Sequence, residues 1–399
     1  MDVDVLDTID MRRLGQELQL ARRQKGLTQG DAAKLIDATR TTMVAIEKGD
    51  RRVRSSELIR LARAYGRTVN DFVRRRPAID ELTVQFRGPT LKTAEDDKAI
   101  APVVAAFQDL CRNYLELEQL TGSPVVRKYP SEYTISEQGI DQAAEIVALD
   151  ERNRLNLGDG PVPLLRDLLD QDVGLRVFYL PMPAKFSGIY FFTEQLGGCI
   201  AVNSLHPEER CRWSLAHDYD HFLSARHEPH VSYANGYQRL PASERHADAF
   251  ARYFLMPTAG LLRRFSDLQR KGKVTLADLC LLAHYYGVSV EALVRRLEAM
   301  RLLPVGMWEK LQGRFVVRDV RKELGLTSIP TNDQRLPARY RLLAVEAFEQ
   351  GAISEGQLAR FLNVDRLEAR EIASILERSY EESTPHDEAT TEASAMLGA

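Results

Sequence analysis

Six of the chain's eight histidines fall between His206 and His246, and two of them, His217 and His221, stand four residues apart in the run RWSLAHDYDHFLSA. That run has helical spacing, so both imidazoles leave one face a single turn apart, a geometry that suits one metal ion. Asp218 and Asp220 lie between and beside them and add negative charge near a dication. Further along, ASERHADAFARYFLMP reads as a second helix with Ala247, Phe250, Ala251, Phe254 and Leu255 on its apolar face, and with Glu244 and His246 near its start. Two histidines need a third ligand to hold an ion, and this second helix can supply one. His206, His227 and His230 fall near expected loops and are read as surface residues.

The elements that must position these groups follow from periodicity. GLRVFYL, SGIYFF and CIAVN read as strands bounded by Gly or Pro, which makes a small sheet beside the histidine helix. Such a sheet either accepts an extended peptide by strand addition or simply completes the core. Downstream, TLADLCLLAHYYGVSVEALVRRLEAM gives helix, Gly turn, helix, with His284 expected in the core. Upstream, a long helix is expected from Lys98 to Leu120, with Ala105, Phe107, Leu110, Tyr114 and Leu117 forming one stripe for a core or for a second copy. A short strand-like run, Leu82 to Phe86, precedes it.

In zinc endopeptidase helices of the H-E-x-x-H type, the two histidines bind zinc and the Glu between them takes a proton from the attacking water. Here Asp218 holds that Glu position. From about Ala143 to Leu303 the chain resembles the ImmA/IrrE family of zinc metallopeptidases, matching LLRDLLDQDVGLRVFYLP, GGCIAVNS, RCRWSLAHDYDHFL, SERHADAFARYFLMP and LLAHYYGVSVEALVRRLEAM in order. The resemblance implies Zn2+ held by His217, His221 and Glu244, with His246 as a further candidate and Asp218 as the catalytic base. Asp218 or Asp220 is expected to steady a ligand histidine through its second nitrogen. Losing one methylene sets the carboxylate back by roughly 1–1.5 Å, and misplacement on that scale costs on the order of a hundredfold in rate, so metal binding is expected to outlast catalysis.

The N-terminal segment carries a different chemistry. Between Arg12 and Arg76 there are 17 Lys/Arg against 7 Asp/Glu, a balance of +10 on a chain whose net charge is -3, which points to a polyanion. Helices are expected over Met11–Lys25, after the cap Thr28, over Arg40–Lys48 after the cap Thr39, and over Ser56–Tyr65 and Thr68–Arg75. Asp37 stands where a left-handed residue is wanted. The string LTQGDAAKLIDATRTTMVAIEKGDRRVRSSELIRLARAYGRTVNDF resembles the Xre family of repressor-type helix-turn-helix domains. That resemblance implies phosphate contacts from Gln29, Lys48, Arg51 and Arg52. Base edges would be read by Arg40, Thr41, Thr42 and Ala45, with Arg suited to guanine and the Thr methyl groups to thymine. Binding as a homodimer to two half-sites about one turn apart is expected.

At 399 residues the chain exceeds one ordinary core. The fold expected is mainly α with a small β-sheet (α+β). Its parts are an acidic arm (1–10), the helix-turn-helix domain (11–77), a linker and long helix (78–138), a zincin-like domain (139–303), a C-terminal helical domain (304–378) in which Ser354 caps a helix, and a disordered tail (379–399). No apolar run of about 18 residues spans a bilayer, and the four cysteines form no C-x-x-C pair. An acidic start replaces the basic n-region of a secretory signal, so a cytoplasmic, nucleoid-associated location is expected. Two functions fit. The leading one is a regulator that binds operator DNA and uses its zinc domain to cleave itself or a partner repressor in a stress or prophage-type response. The other is a catalytically silent peptidase fold that senses zinc, a peptide or a small ligand to tune DNA binding.

Overall fold

The computed structural model describes residues 10–67, 69–73, 93–135, 138–234, 241–312, 317–326 and 336–383. The strand-like run Leu82–Phe86, the boundary at Pro77, most of the N-terminal arm and the tail after Ser383 lie outside these residues. The chain divides into two compact units, one of residues 1–112 and 126–335, the other of residues 113–125 and 336–399.

The first unit begins with five helices: α1 (Met11–Gln24), α2 (Gln29–Leu35), α3 (Arg40–Lys48), α4 (Ser55–Tyr65) and α5 (Val69–Val73). Local chemistry sets their ends. Thr28 and Asp31 form a reciprocal capping box at α2, and the Thr39 hydroxyl accepts the Thr42 amide at α3. Asp37, between them, has φ 52°, the left-handed turn expected of it. Leu14, Leu18, Ala33, Met43, Ile46, Leu58 and Leu61 close one apolar core. A buried ion pair joins α1 to α3, with Arg22 Nε and Nη2 at 2.5 and 3.0 Å from the Glu47 carboxylate. Gly49 ends α3 at φ 79°, and a Cβ there would meet the Arg12 backbone at 2.6 Å, so both conformation and space require glycine.

Next comes α6 (Ala94–Thr121), longer than the expected helix, with Ala105 and Phe107 buried. Phe107 packs edge-on against Phe178 and Phe191, at 6.0 and 5.1 Å between ring centroids. Those rings belong to a four-stranded sheet of β1 (Arg176–Leu180), β2 (Phe186–Thr193), β3 (Gly197–Asn203) and β4 (His230–Tyr233) in the order β1-β3-β2-β4. β1 runs parallel to β3, and β2 runs antiparallel to both β3 and β4. The three expected strands are present, and β4 is a fourth, on the edge. Against the sheet and one another pack α7 (Ile140–Arg154), α8 (Leu165–Leu168) with the π-helical turn Leu169–Val173, α9 (Glu208–Ser224) and α10 (Ala242–Leu255).

α11 (Thr258–Lys271) follows, and then α12 (Leu276–Tyr286) and α13 (Val290–Ala299) form the expected helix–Gly–helix hairpin. His284 is half-buried, not a core residue as expected: it leaves the apolar contacts to Leu282, Ala283 and Tyr286. Residues beyond 303, expected to open a separate helical domain, continue on the same core through Trp308 of α14 (Met307–Gln312), Val317 and Val320 of α15 (Val317–Glu323), and Leu326.

In the second unit, α16 (Ala338–Glu349), α17 (Glu355–Leu362) and α18 (Arg366–Ser383) pack with the last turns of α6. Tyr114 meets Tyr340 edge-on at 5.3 Å, and Arg339 pairs with Glu118 at 3.0 Å. Ser354 stands at the expected cap, where its amide donates to Gln357 Oε1 at 2.7 Å. The whole is mainly helical with one small sheet, the α+β class expected. Among the described residues no single helix is long and apolar enough to cross a membrane.

Candidate metal centre and nucleic-acid interface

His217 and His221 leave the inner face of α9 one turn apart, with their Nε2 atoms 3.2 Å from each other. Glu244, in the first turn of α10, reaches the same point: its Oε1 is 3.2 Å from His221 Nε2 and its Oε2 is 3.7 Å from His217 Nε2. His230, the first residue of β4, brings Nε2 to 3.1 Å from Glu244 Oε1 and stacks on the His221 ring at 4.0 Å between centroids. One donor atom from each of the four lies within 4.8 Å of the others. Glu244 Oε1 and His230 Nε2 are buried, yet neither has a hydrogen-bond partner despite their closeness. Two buried, unpartnered donor atoms beside a facing pair of imidazoles are the arrangement a cation satisfies.

Electrostatics couples the acidic and imidazole groups of the cluster and keeps Glu244 anionic. Burial alone would raise the Glu244 pKa, but His217 and His221 outweigh it and hold the carboxyl far below its ordinary range. Burial alone would lower the His217 pKa, and the Asp248 and Glu244 carboxylates reverse it to well above the usual value. Asp248 Oδ1 lies 3.0 Å from His217 Nδ1, which turns Nε2 toward the cluster.

Asp220 and His246 take different positions from those expected. Asp220 does not steady a ligand: it pairs at 2.8 Å with Nδ1 of His246, and both are buried. That bond occupies His246 inside the α9–α10 packing, away from the cluster it was a candidate for. Asp218 is fully buried, accepts the Ser232 hydroxyl of β4 at 2.5 Å, and presses its other oxygen, which has no partner, against Gly188 of β2. A Cβ on residue 188 would meet that oxygen at 2.1 Å. Burial, only partly offset by His217 and Ser232, raises the Asp218 pKa.

In the N-terminal bundle, Arg40, Thr41 and Lys48 are exposed along α3, as is Arg52 just beyond it, while Thr42 and Ala45 are half-buried. The Thr39 hydroxyl lies 2.8 and 2.9 Å from those of Thr41 and Thr42. Two expected phosphate contacts are engaged within the fold: the Gln29 amide donates to Glu47 at 2.9 Å, and the Arg51 fork donates twice to Glu57, at 3.1 and 2.9 Å.

Two family models match the chain. Residues 13–72 match a helix-turn-helix domain, and residues 170–298 match the IrrE N-terminal-like domain. The chain joins a helix-turn-helix domain to an ImmA/IrrE-like peptidase domain. Comparison of the chain with curated proteins returns no match. The pairing makes it a DNA-binding regulator with a peptidase-like domain.

Within the IrrE-like domain, His217, His221 and Glu244 come together. His230, read from the sequence as a surface histidine, joins them, because β4 pairs with β2 in a register that sets His230 opposite Tyr190. The signal available was the strand-like alternation in HVSY. His206 and His227 remain peripheral, the former 3.2 Å from the Ala184 carbonyl and the latter against Phe192. In the helix-turn-helix domain, Val44 lies between Arg40 and Lys48 on the same helical row and is half-buried, so it shares the outer surface of α3.

Proposed function

We propose that the chain binds operator DNA through α2 and α3 and that its IrrE-like domain holds a zinc ion as a regulatory centre, without working as a peptidase. The observation that carries this reading is the state of Asp218. A general base has to reach the proton it removes, within about 2.6–3.2 Å or through one water. The Asp218 carboxylate instead accepts Ser232 and is packed against Gly188 with no solvent exposure. The ligands are assembled while the Asp218 carboxylate is tied to Ser232.

Zinc fits the donor set, since imidazole nitrogen and carboxylate oxygen are its usual non-thiolate ligands. When bound, zinc supplies Lewis acidity toward a carbonyl or water. The chain's own groups do the rest: Asp248 orients His217, Glu244 bridges toward both α9 histidines, and Asp218 ties α9 to β4 through Ser232. On the DNA side, Arg40 and Thr41, exposed on α3, would read base edges, and the exposed Lys48 and Arg52 would meet phosphates. A homodimer would supply two reading helices for the two half-sites of an operator.

The test is incubation of the metal-loaded protein with a purified partner repressor, with and without chelator. Bound zinc with no cleavage of either chain is the expected result. A second reading, cleavage of itself or of a partner repressor in a stress or prophage-type response, draws on the unpartnered oxygen of Asp218. Cleavage by the native protein that disappears in His217→Ala would establish that reading and overturn the first.

A further inference from the structure

We propose that His230 is a fourth protein ligand that closes the metal's coordination shell and ties the edge strand β4 to it. The inference deepens the metal-holding reading above and rests on it. A tetrahedral zinc with bonds of about 2.0–2.1 Å sets its ligand atoms about 3.3–3.4 Å apart. The observed separations are 3.2 Å for His217 to His221, 3.2 Å for His221 to Glu244, 3.7 Å for His217 to Glu244 and 3.1 Å for His230 to Glu244. His230 Nε2 therefore stands at such a distance from Glu244 Oε1, and one donor atom from each of the four residues lies within 4.8 Å of the others. Its Nε2 is buried and unbonded, although an acceptor oxygen is 3.1 Å away.

Three imidazoles and one carboxylate complete a four-coordinate shell, and a closed shell is the mark of a structural site, whereas a catalytic one keeps a position open. The closure also has a mechanical meaning. Two residues beyond His230, Ser232 holds Asp218, and Tyr233 lies 3.4 Å from Asp96 at the start of α6. Metal binding through His230 thus fixes a strand whose other side chains hold the Asp218 carboxylate and touch the long helix.

Cobalt(II) titration of the full chain tests this, because its visible absorption reports coordination number and open positions. The native protein should bind Co2+ with the intense absorption of a four-coordinate ion and show no spectral change with azide. His230→Ala should bind at least about tenfold more weakly, the loss that even a partner behind a ligand causes, and its spectrum should shift with azide. His230→Cys should add a near-ultraviolet sulfur-to-cobalt charge-transfer band, a direct sign of coordination that does not depend on the alanine variant folding well. Native protein that binds cobalt and responds to azide, with no charge-transfer band in His230→Cys, would overturn the fourth ligand and leave the metal site standing. Native protein that binds no cobalt would overturn both.

Discussion

A neutral imidazole that gives one nitrogen to a metal needs its other nitrogen fixed, and at His217 the Asp248 carboxylate does this from 3.0 Å. Asp248→Ala leaves the four donors in place but frees the ring to turn. Zinc affinity should fall about 10–100-fold, read by competition with a chromophoric chelator, while far-ultraviolet circular dichroism stays unchanged. Asp218 is constrained in the opposite way, by lack of room. Asp218→Glu inserts a methylene into fully buried space bounded by Gly188 and Ser232, and overpacking of that kind costs about 1–3 kcal/mol. Urea unfolding should show that loss, with no gain of proteolysis against a repressor. A stable Asp218→Glu protein that cleaves its target would mean that the site has space for a base and that the metal keeps an open position.

At the scale of elements, α3 presents its exposed row from a base made rigid by the buried Arg22–Glu47 pair. Glu47→Ala strands the guanidinium and also releases Gln29, so the chain should lose about 3–5 kcal/mol in urea unfolding. On the exposed side, Arg40→Ala should cost about 1–3 kcal/mol and relax preference at one operator position. Lys48→Ala should weaken all sequences alike and lower the salt slope by about one. Binding assays across salt concentrations and operator variants separate the two; a uniform loss in Arg40→Ala would remove it from base reading. Much of this domain was legible because its signals are local: Thr28 and Thr39 cap, Asp37 turns, and the apolar spacing closes the bundle. What was not legible is tertiary. Gln29 and Arg51 have exposed-looking neighbours in sequence, and only the fold supplies Glu47 and Glu57 as partners. The same holds for the metal site, where the spacing of four between His217 and His221 shows a shared face. His230, by contrast, enters through a four-residue strand whose role depends on its pairing with β2.

For the regulator as a whole, α6 offers a continuous physical route between the proposed metal centre and the DNA reader. Asp96, at its start, meets Lys185 and Tyr233 beside β4; Phe107, in its middle, packs on the sheet through Phe178 and Phe191. Arg112 and Asp109 then pair with Glu17 of α1 at 2.6 Å and Arg67 at 2.9 Å in the helix-turn-helix domain. Coupling between two sites is reciprocal and typically about 5–150-fold in affinity, so zinc should change operator affinity by at least about fivefold and operator DNA should change zinc affinity equally. The Arg112–Glu17 pair is one contact through which this route enters the helix-turn-helix domain. The double substitution Glu17→Leu, Arg112→Met tests it, because replacing both partners of a buried ion pair with apolar groups leaves no stranded charge and is often neutral for stability. Fluorescence anisotropy with labelled operator, with and without chelator, should show the zinc-dependent shift in the native chain and its loss in the double variant, with zinc affinity in the absence of DNA unchanged. If the shift persists at full size in a folded double variant, the Arg112–Glu17 contact is only structural, and the metal centre must act on DNA binding by another path.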